Sequence, residues 1–207
     1  MKFDAEKSQI VESLQNAAAV AERRQTIPIL ANLRLKTLNG KLEVTATDLE
    51  IQIKTFSDLL DVEEEGETTV SARKMSELCR SLPDGEKVNF SLTSGKLTVR
   101  ANNFHADFAT ISPDDFPEIE INEELTPLKI NSSVLKRVLT KTAFSMASQD
   151  VRYYLNGMLL EVNGSKINGV ATDGHRLAFS SSSLVDSNLE VRNILPRKAV
   201  LELSKLL

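Results

Sequence analysis

Asp173, His175 and Arg176 fall within four residues of one another in the run Ala171-Thr172-Asp173-Gly174-His175-Arg176-Leu177, and Asp150 stands upstream. A carboxylate, an imidazole and a guanidinium in one turn could move a proton and hold an anion. The first chemistry they suggest is therefore an enzyme acting on phosphate esters. Two features weigh against it. Ala-Thr-Asp recurs as Ala46-Thr47-Asp48 with no His or Arg after it, and the chain has no glycine-rich phosphate loop. His105 and His175 are the two histidines and Cys79 the one cysteine, so the chain is poorly supplied for a soft-metal centre and forms no internal disulfide. The residues imply neither a metal nor a cofactor, and no catalytic residue is expected.

The recurrence extends well beyond that tripeptide. Ser8, Ile10, Leu14 and Ala18 correspond to Ser133, Leu135, Leu139 and Ala143. Asn32 matches Asn156, Asn39-Gly40 matches Asn163-Gly164, and Ala46-Thr47-Asp48 matches Ala171-Thr172-Asp173, with a slip of one residue next to the turn. Arg73-Lys74 and Arg197-Lys198 each open a short apolar helix, with Glu77-Leu78 and Glu202-Leu203 inside. A period of about 125 residues far exceeds the roughly 20 to 50 of solenoid repeats and is the size of a small domain. Two homologous domains in tandem are expected, over 1–122 and 126–207.

Each copy opens with apolar residues at helical spacing, over 7–21 and 132–147. Alternating runs follow, read as antiparallel strands: Leu33–Leu38, Leu42–Thr47 and Glu50–Phe56 in the first, Met158–Val162, Ile167–Thr172 and His175–Ser180 in the second. A second helix is expected from Ser71, as N-cap, to Leu82, with Pro83 as its stop. Its counterpart runs over 196–207, with Pro196 in the first turn. Three further strands, Val88–Leu92, Lys96–Ala101 and Phe104–Ile111, occur in the first copy alone, so the second reads as incomplete at its C-terminus. The fold class is α+β, with two helices per domain packed on antiparallel sheets. There is no leader-like start and no apolar run near the roughly 18 residues that span a bilayer, so a cytoplasmic protein without a membrane partner is expected.

Charge is unevenly placed. The chain carries −4, yet the helical segments carry 0 over 5–25, +2 over 72–82, +3 over 131–148 and +2 over 196–207. Lys136, Arg137 and Lys141 lie off the face set by Leu135, Val138, Leu139 and Thr142, so that helix has a purely cationic polar side. Acid collects instead in Asp58–Glu67 and Asp114–Glu124. A solvated helix usually mixes both signs. A cationic set in an acidic protein points to a polyanion such as duplex DNA. No recognition helix, zinc finger or ribonucleoprotein signature is present, so the contact should ignore base sequence.

The runs Gln149-Asp150-Val151-Arg152-Tyr153-Tyr154-Leu155-Asn156-Gly157 and Ala171-Thr172-Asp173-Gly174-His175-Arg176-Leu177 resemble the bacterial sliding clamp family, the beta subunit of DNA polymerase III. Ile27-Pro28-Ile29-Leu30, Thr47-Asp48-Leu49-Glu50, Ala72-Arg73-Lys74, Asp115-Phe116-Pro117 and Leu195-Pro196-Arg197-Lys198 carry the likeness along the whole chain. The resemblance implies a DNA-clamp fold in which three such domains make a subunit and two subunits close into a homodimeric ring, helices lining the hole. It implies a processivity factor, not an enzyme: the ring encircles duplex DNA and tethers the polymerase.

From the family, Arg24, Arg73, Gln149, Tyr153 and Tyr154 would lie nearest DNA, joined by Lys136, Arg137, Lys141, Arg197 and Lys198 from the charge pattern. If the segment is extended, the two tyrosine rings point to opposite faces, one towards the core. The family also implies a groove for short motifs of the DNA polymerase III catalytic subunit, the clamp loader and other clamp-binding proteins. Leu155, Thr172, Gly174, His175, Arg176 and Leu177 match part of it. A third domain would supply the rest, so this chain alone should be monomeric or weakly associated and bind peptide poorly.

Overall fold

The structure is a computed structural model that describes residues 1–21, 27–82, 84–119, 127–184 and 189–207. These fall into two units, Met1–Glu120 and Ile121–Leu207.

In the first unit nine antiparallel strands are laid down in chain order: β1 (Lys2–Glu6), β2 (Asn32–Leu38), β3 (Lys41–Thr47), β4 (Gln52–Asp58), β5 (Asp61–Glu64), β6 (Gly66–Ser71), β7 (Lys87–Thr93), β8 (Lys96–Ala101) and β9 (Phe104–Ile111). Their order in space is β4-β3-β2-β6-β9-β8-β7-β1-β5, and β9 joins the halves only through Thr69↔Ile111 and Val70↔Thr110. Helix α1 (Lys7–Val20) buries Ile10, Leu14 and Ala17, one face at helical spacing, and Glu6 with Gln9 forms a capping box at its start. Helix α2 (Ala72–Ser81) buries Met75, Leu78 and Cys79, and the Ser71 hydroxyl accepts from the Lys74 amide as its N-cap. Phe3 and Phe90 stack with centroids 4.6 Å apart in the same core. Burial pushes the Cys79 thiol up to about 11, so it packs as a small apolar group.

The second unit has helix α3 (Ser132–Thr142), strands β10 (Gly157–Asn163), β11 (Lys166–Thr172), β12 (Leu177–Ser183) and β13 (Glu190–Pro196), and helix α4 (Arg197–Leu206). The sheet order is β12-β11-β10-β13. Val138, Leu139 and Thr142 face the sheet, and Gly169 on β11 lets α3 approach: a Cβ there would stand 2.6 Å from Val138 Cγ1. Leu139, Met146, Met158, Ala171 and Val200 close the core beneath α4.

Several expectations need correction. The helix expected over 132–147 is α-helical only to Thr142 and then tightens into a 3-10 turn, Ala143–Ser145. The Thr142 hydroxyl donates to Val138 O at 2.7 Å, a back-bond that competes with the helical ladder. Strands expected from Glu50 and His175 begin two residues later, because Asp48 and Asp173 draw the intervening amides into turns. Pro196 is the residue before the first turn of α4 and also ends β13. β1, β5, β6 and β13 were not legible as strands; β6 buries Thr68, Thr69 and Val70 in succession, and β5 and β13 are mostly exposed, so none of these three alternates. Pro83 lies outside the described residues.

The slip between the two copies is also absent from the strand ladders. Leu38↔Lys41 and Asn163↔Lys166 close the equivalent hairpins, so the turn residues are Asn39-Gly40 in one and Gly164-Ser165 in the other. Asn32 corresponds to Gly157, each opening its strand opposite the residue before the second helix, Ser71 and Pro196. Arg73 is thereby equivalent to Lys198 and not to Arg197. A repeated Asn-Gly dipeptide had imitated a shift in register.

Candidate nucleic-acid and partner-binding surfaces

Residues 149–156 form a closed loop ahead of β10. The Asn156 side chain closes it, accepting from the Asp150 amide at 2.9 Å and donating to Asp150 O at 2.8 Å, while the Ala147 amide donates to Leu155 O. Gln149 enters at φ 61°, a backbone state that non-glycine residues seldom adopt. Tyr153–Leu155 is a 3-10 turn, not an extended segment. The expected division of the two tyrosines between faces therefore fails: Tyr153 is 86% exposed and Tyr154 62%, and Leu155 is the residue that enters the core. Arg152 clasps Asp150 through Nε (3.0 Å to Oδ1) and Nη2 (2.9 Å to Oδ2). That bond to Arg152, followed by the Arg152 amide, holds the Asp150 carboxyl down at about 2.

Across the sheet, Asp173 organises the turn from β11 to β12. Its Oδ1 accepts from the His175 and Arg176 amides at 3.0 and 2.9 Å, and Oδ2 accepts from Arg176 Nε at 3.0 Å. The two amides above all, then the guanidinium, hold its carboxyl at about 2. Such a carboxylate is a poor proton acceptor at neutral pH, which weighs against Asp173 as a general base. Arg176 also donates to Phe144 O at 2.7 Å and lies over the Phe144 ring. Among the described residues no group of three or more His, Cys, Asp or Glu could hold a metal ion.

Leu155 and Thr172 line a cleft of about 400 Å³ with Tyr154, Leu159, Val170 and Ile194. Leu177, 65% exposed, is the cross-strand partner of Thr172, whereas Gly174, His175 and Arg176 lie in the turn beyond and do not line this cleft. Sequence reasoning missed Leu159, Val170, Phe179 and Ile194, which form one row across β13, β10, β11 and β12 on the face away from α3. A signal existed: the equivalent ladder positions of the first unit are Arg34, Thr45, Lys54 and Thr69. There Arg34 pairs with Glu67 and Glu118, and Lys54 with Glu43, so that face is a lattice of ion pairs.

Lys136, Arg137 and Lys141 are all exposed on α3 and make no ion pair among the described residues. Arg73 is exposed on α2 and reaches Glu77 at 3.7 Å, a weak pair at a surface. Arg197 is half-buried, and its guanidinium donates to Met146 O at 3.0 Å, so part of its donor capacity serves the fold. Lys198 is half-buried. Arg24 lies outside the described residues. No helix among the described residues is long and apolar enough to cross a membrane.

Comparison with known proteins gives one family. Residues 1–120 match "DNA polymerase III beta subunit, N-terminal domain" and residues 129–207 match "DNA polymerase III beta subunit, central domain". The beta sliding clamp of Pseudomonas aeruginosa is 42% identical over the whole chain, which spans 57% of that relative's length; that of Escherichia coli K12 is 39% identical, also over 57%. Among solved structures, a Pseudomonas aeruginosa sliding clamp bound to griselimycin superposes with a TM-score of 0.93 at 42% identity, and this chain covers 56% of it. A Caulobacter crescentus DNA polymerase sliding clamp gives 0.93 at 31% identity, with 57% covered. A Thermotoga maritima beta subunit shares the fold at 23% identity, with a TM-score of 0.90.

Proposed function

Because this chain belongs to the DNA polymerase III beta subunit family, we propose that the protein containing it is a replication processivity factor, a homodimeric ring that encircles duplex DNA without reading its sequence. Residues 1–122 and 126–207 are then two clamp domains. The observation that carries the reading is the exposed cationic face of α3, Lys136, Arg137 and Lys141, on a helix whose opposite face is core. Flexible cations attract phosphate through intervening water without a fixed hydrogen-bond geometry, so they hold DNA yet give no base sequence a preferred resting place. In the second unit Gln149, the exposed pair Tyr153 and Tyr154, Arg197 and Lys198 are assigned to DNA contact as well, and in the first unit Arg24 and Arg73, by the family and charge patterns.

The second surface is the apolar cleft at Leu155 and Thr172, with Leu177 paired across the strands to Thr172 and the turn Gly174-His175-Arg176 beyond it. It suits the apolar side chains of short motifs from the DNA polymerase III catalytic subunit, the clamp loader and other clamp-binding proteins. The work is tethering and requires no chemical step. The test is the length of product made in one binding event on a primed single-stranded circle, with clamp loader and polymerase. Products of thousands of nucleotides are expected with the protein and short ones without it; equal lengths would overturn the reading.

A further inference from the structure

The clamp reading assigns two surfaces to the second unit, the loop bearing Tyr153 and Tyr154 and the turn that leads into Leu177. Arg152 stands between them. On one side Asp150 grips the Arg152 guanidinium with two parallel bonds and also accepts from the Arg152 amide at 2.8 Å. On the other side the guanidinium lies against Gly174, where a Cβ would stand 3.2 Å from Nη2 and 3.5 Å from Nη1. At φ 86° the backbone itself favours glycine, yet the equivalent position of the first unit carries a side chain. Leu49 occupies the same place in the first unit's turn, at φ 77° against 86° for Gly174. Both turns carry the same bonds: Leu49 and Gly174 each donate an amide proton to the threonine hydroxyl two residues earlier, at 3.1 Å. One turn has room for a leucine side chain. The other gives that room to Arg152.

We propose, resting on the clamp reading for what the two surfaces bind, that Arg152 is a positioning residue that packs the tyrosine loop against the Asp173–Leu177 turn, its guanidinium seated on Gly174 where a side chain would obstruct it. A planar fork suits this better than an ammonium, because one edge meets both oxygens of Asp150 while the face is free to lie on the turn. Displacement of the turn by a bound motif is then felt at Tyr153 and Tyr154, and contact at the tyrosines is felt at the turn, as coupling between sites requires.

The chain itself provides the readout. Tyr153 and Tyr154 are its only tyrosines and it has no tryptophan, so the tyrosine band of the near-ultraviolet circular dichroism spectrum reports this loop alone. Gly174→Leu, which copies the first unit's turn, should lose most of that band with the far-ultraviolet spectrum unchanged. Arg152→Ala should lose it equally, and Arg152→Lys should not restore it. In the Arg152→Ala background, Gly174→Leu should cost less in thermal midpoint than in the parent and nothing further in the band, because the obstructing group is gone and only the strain of a side chain at positive φ remains. A band unchanged in Arg152→Ala, restored by lysine, or a leucine equally costly in both backgrounds would overturn the proposal. Arg152→Ala removes an exposed side chain and keeps the test decisive if Gly174→Leu fails to fold. No DNA or partner is used, so failure here is separate from failure of the clamp reading, which the product-length assay decides.

Discussion

Asp48 and Asp173 occupy the same place in the two units: Oδ1 of each accepts from the amides two and three residues onward, at 3.1 and 2.9 Å for Asp48 and 3.0 and 2.9 Å for Asp173. The threonine before each closes the turn, Thr47 donating to Ile51 O at 2.8 Å and Thr172 to Arg176 O at 2.7 Å. Thr-Asp is thus architecture common to both units. Gly174, His175 and Arg176 are what the second unit adds.

Because the Asp173 carboxyl sits at about 2 in the fold against an ordinary 3.8, its stabilising effect is complete above about pH 4 and is lost as pH falls through about 2. Asp150, also at about 2, behaves in the same way. Asp173→Asn and Asp150→Asn should each lower the thermal midpoint at pH 7 and converge with the parent near pH 2. A difference that persists undiminished in acid would contradict the assignment.

Close approach of α3 to the sheet depends on Gly169. Gly169→Ala sets a methyl 2.6 Å from Val138 Cγ1, and overpacking of this kind costs about 1 to 3 kcal/mol. Leu139→Ala, at a fully buried position, should cost about 2 to 5 kcal/mol by the opposite route, a cavity. Urea midpoints indistinguishable from the parent would show that α3 is not seated as described.

The sequence carried the α1, α3 and β2–β3 patterns, because each has one apolar and one polar face: Ile10, Leu14 and Ala17 recur at helical spacing, and Leu33 and Leu35 alternate with Arg34 and Lys36. It carried β6 poorly, since Thr68, Thr69 and Val70 are buried in a row at a junction where both faces are covered. The tyrosine loop was misjudged because its shape comes from the Asn156 amide reaching back to Asp150, a side-chain device with no periodicity. The apolar row of Leu159, Val170, Phe179 and Ile194 was legible only by comparison with Arg34, Thr45, Lys54 and Thr69, and matching Asn32 to Asn156 set β2 and β10 one residue out of step.

The two tyrosines should separate by ligand. Tyr153→Ala should weaken binding of an oligodeoxythymidine by about 1 to 3 kcal/mol, the value of one base stacked on an aromatic ring. Tyr154, which also lines the apolar cleft, should in addition lose peptide affinity when truncated. Equal effects of both substitutions on both ligands would remove the distinction.

Charge reversal on α3 tests the cationic face. Lys136→Glu, Arg137→Glu and Lys141→Glu together should leave the fold intact, since all three are exposed, and shorten retention on DNA. The salt dependence of binding should fall by about 0.9 in log–log slope for each phosphate that the helix no longer neutralises. An unchanged slope would mean that α3 faces away from DNA.

The most direct test of encirclement loads the full-length protein containing this chain onto nicked circular DNA with a clamp loader, isolates the complex by gel filtration and then linearises the DNA. A topological ring stays on the circle and departs from the free ends once it is cut, which is the predicted result. Protein that remains on linear DNA, or that is never retained on the circle, would contradict the account.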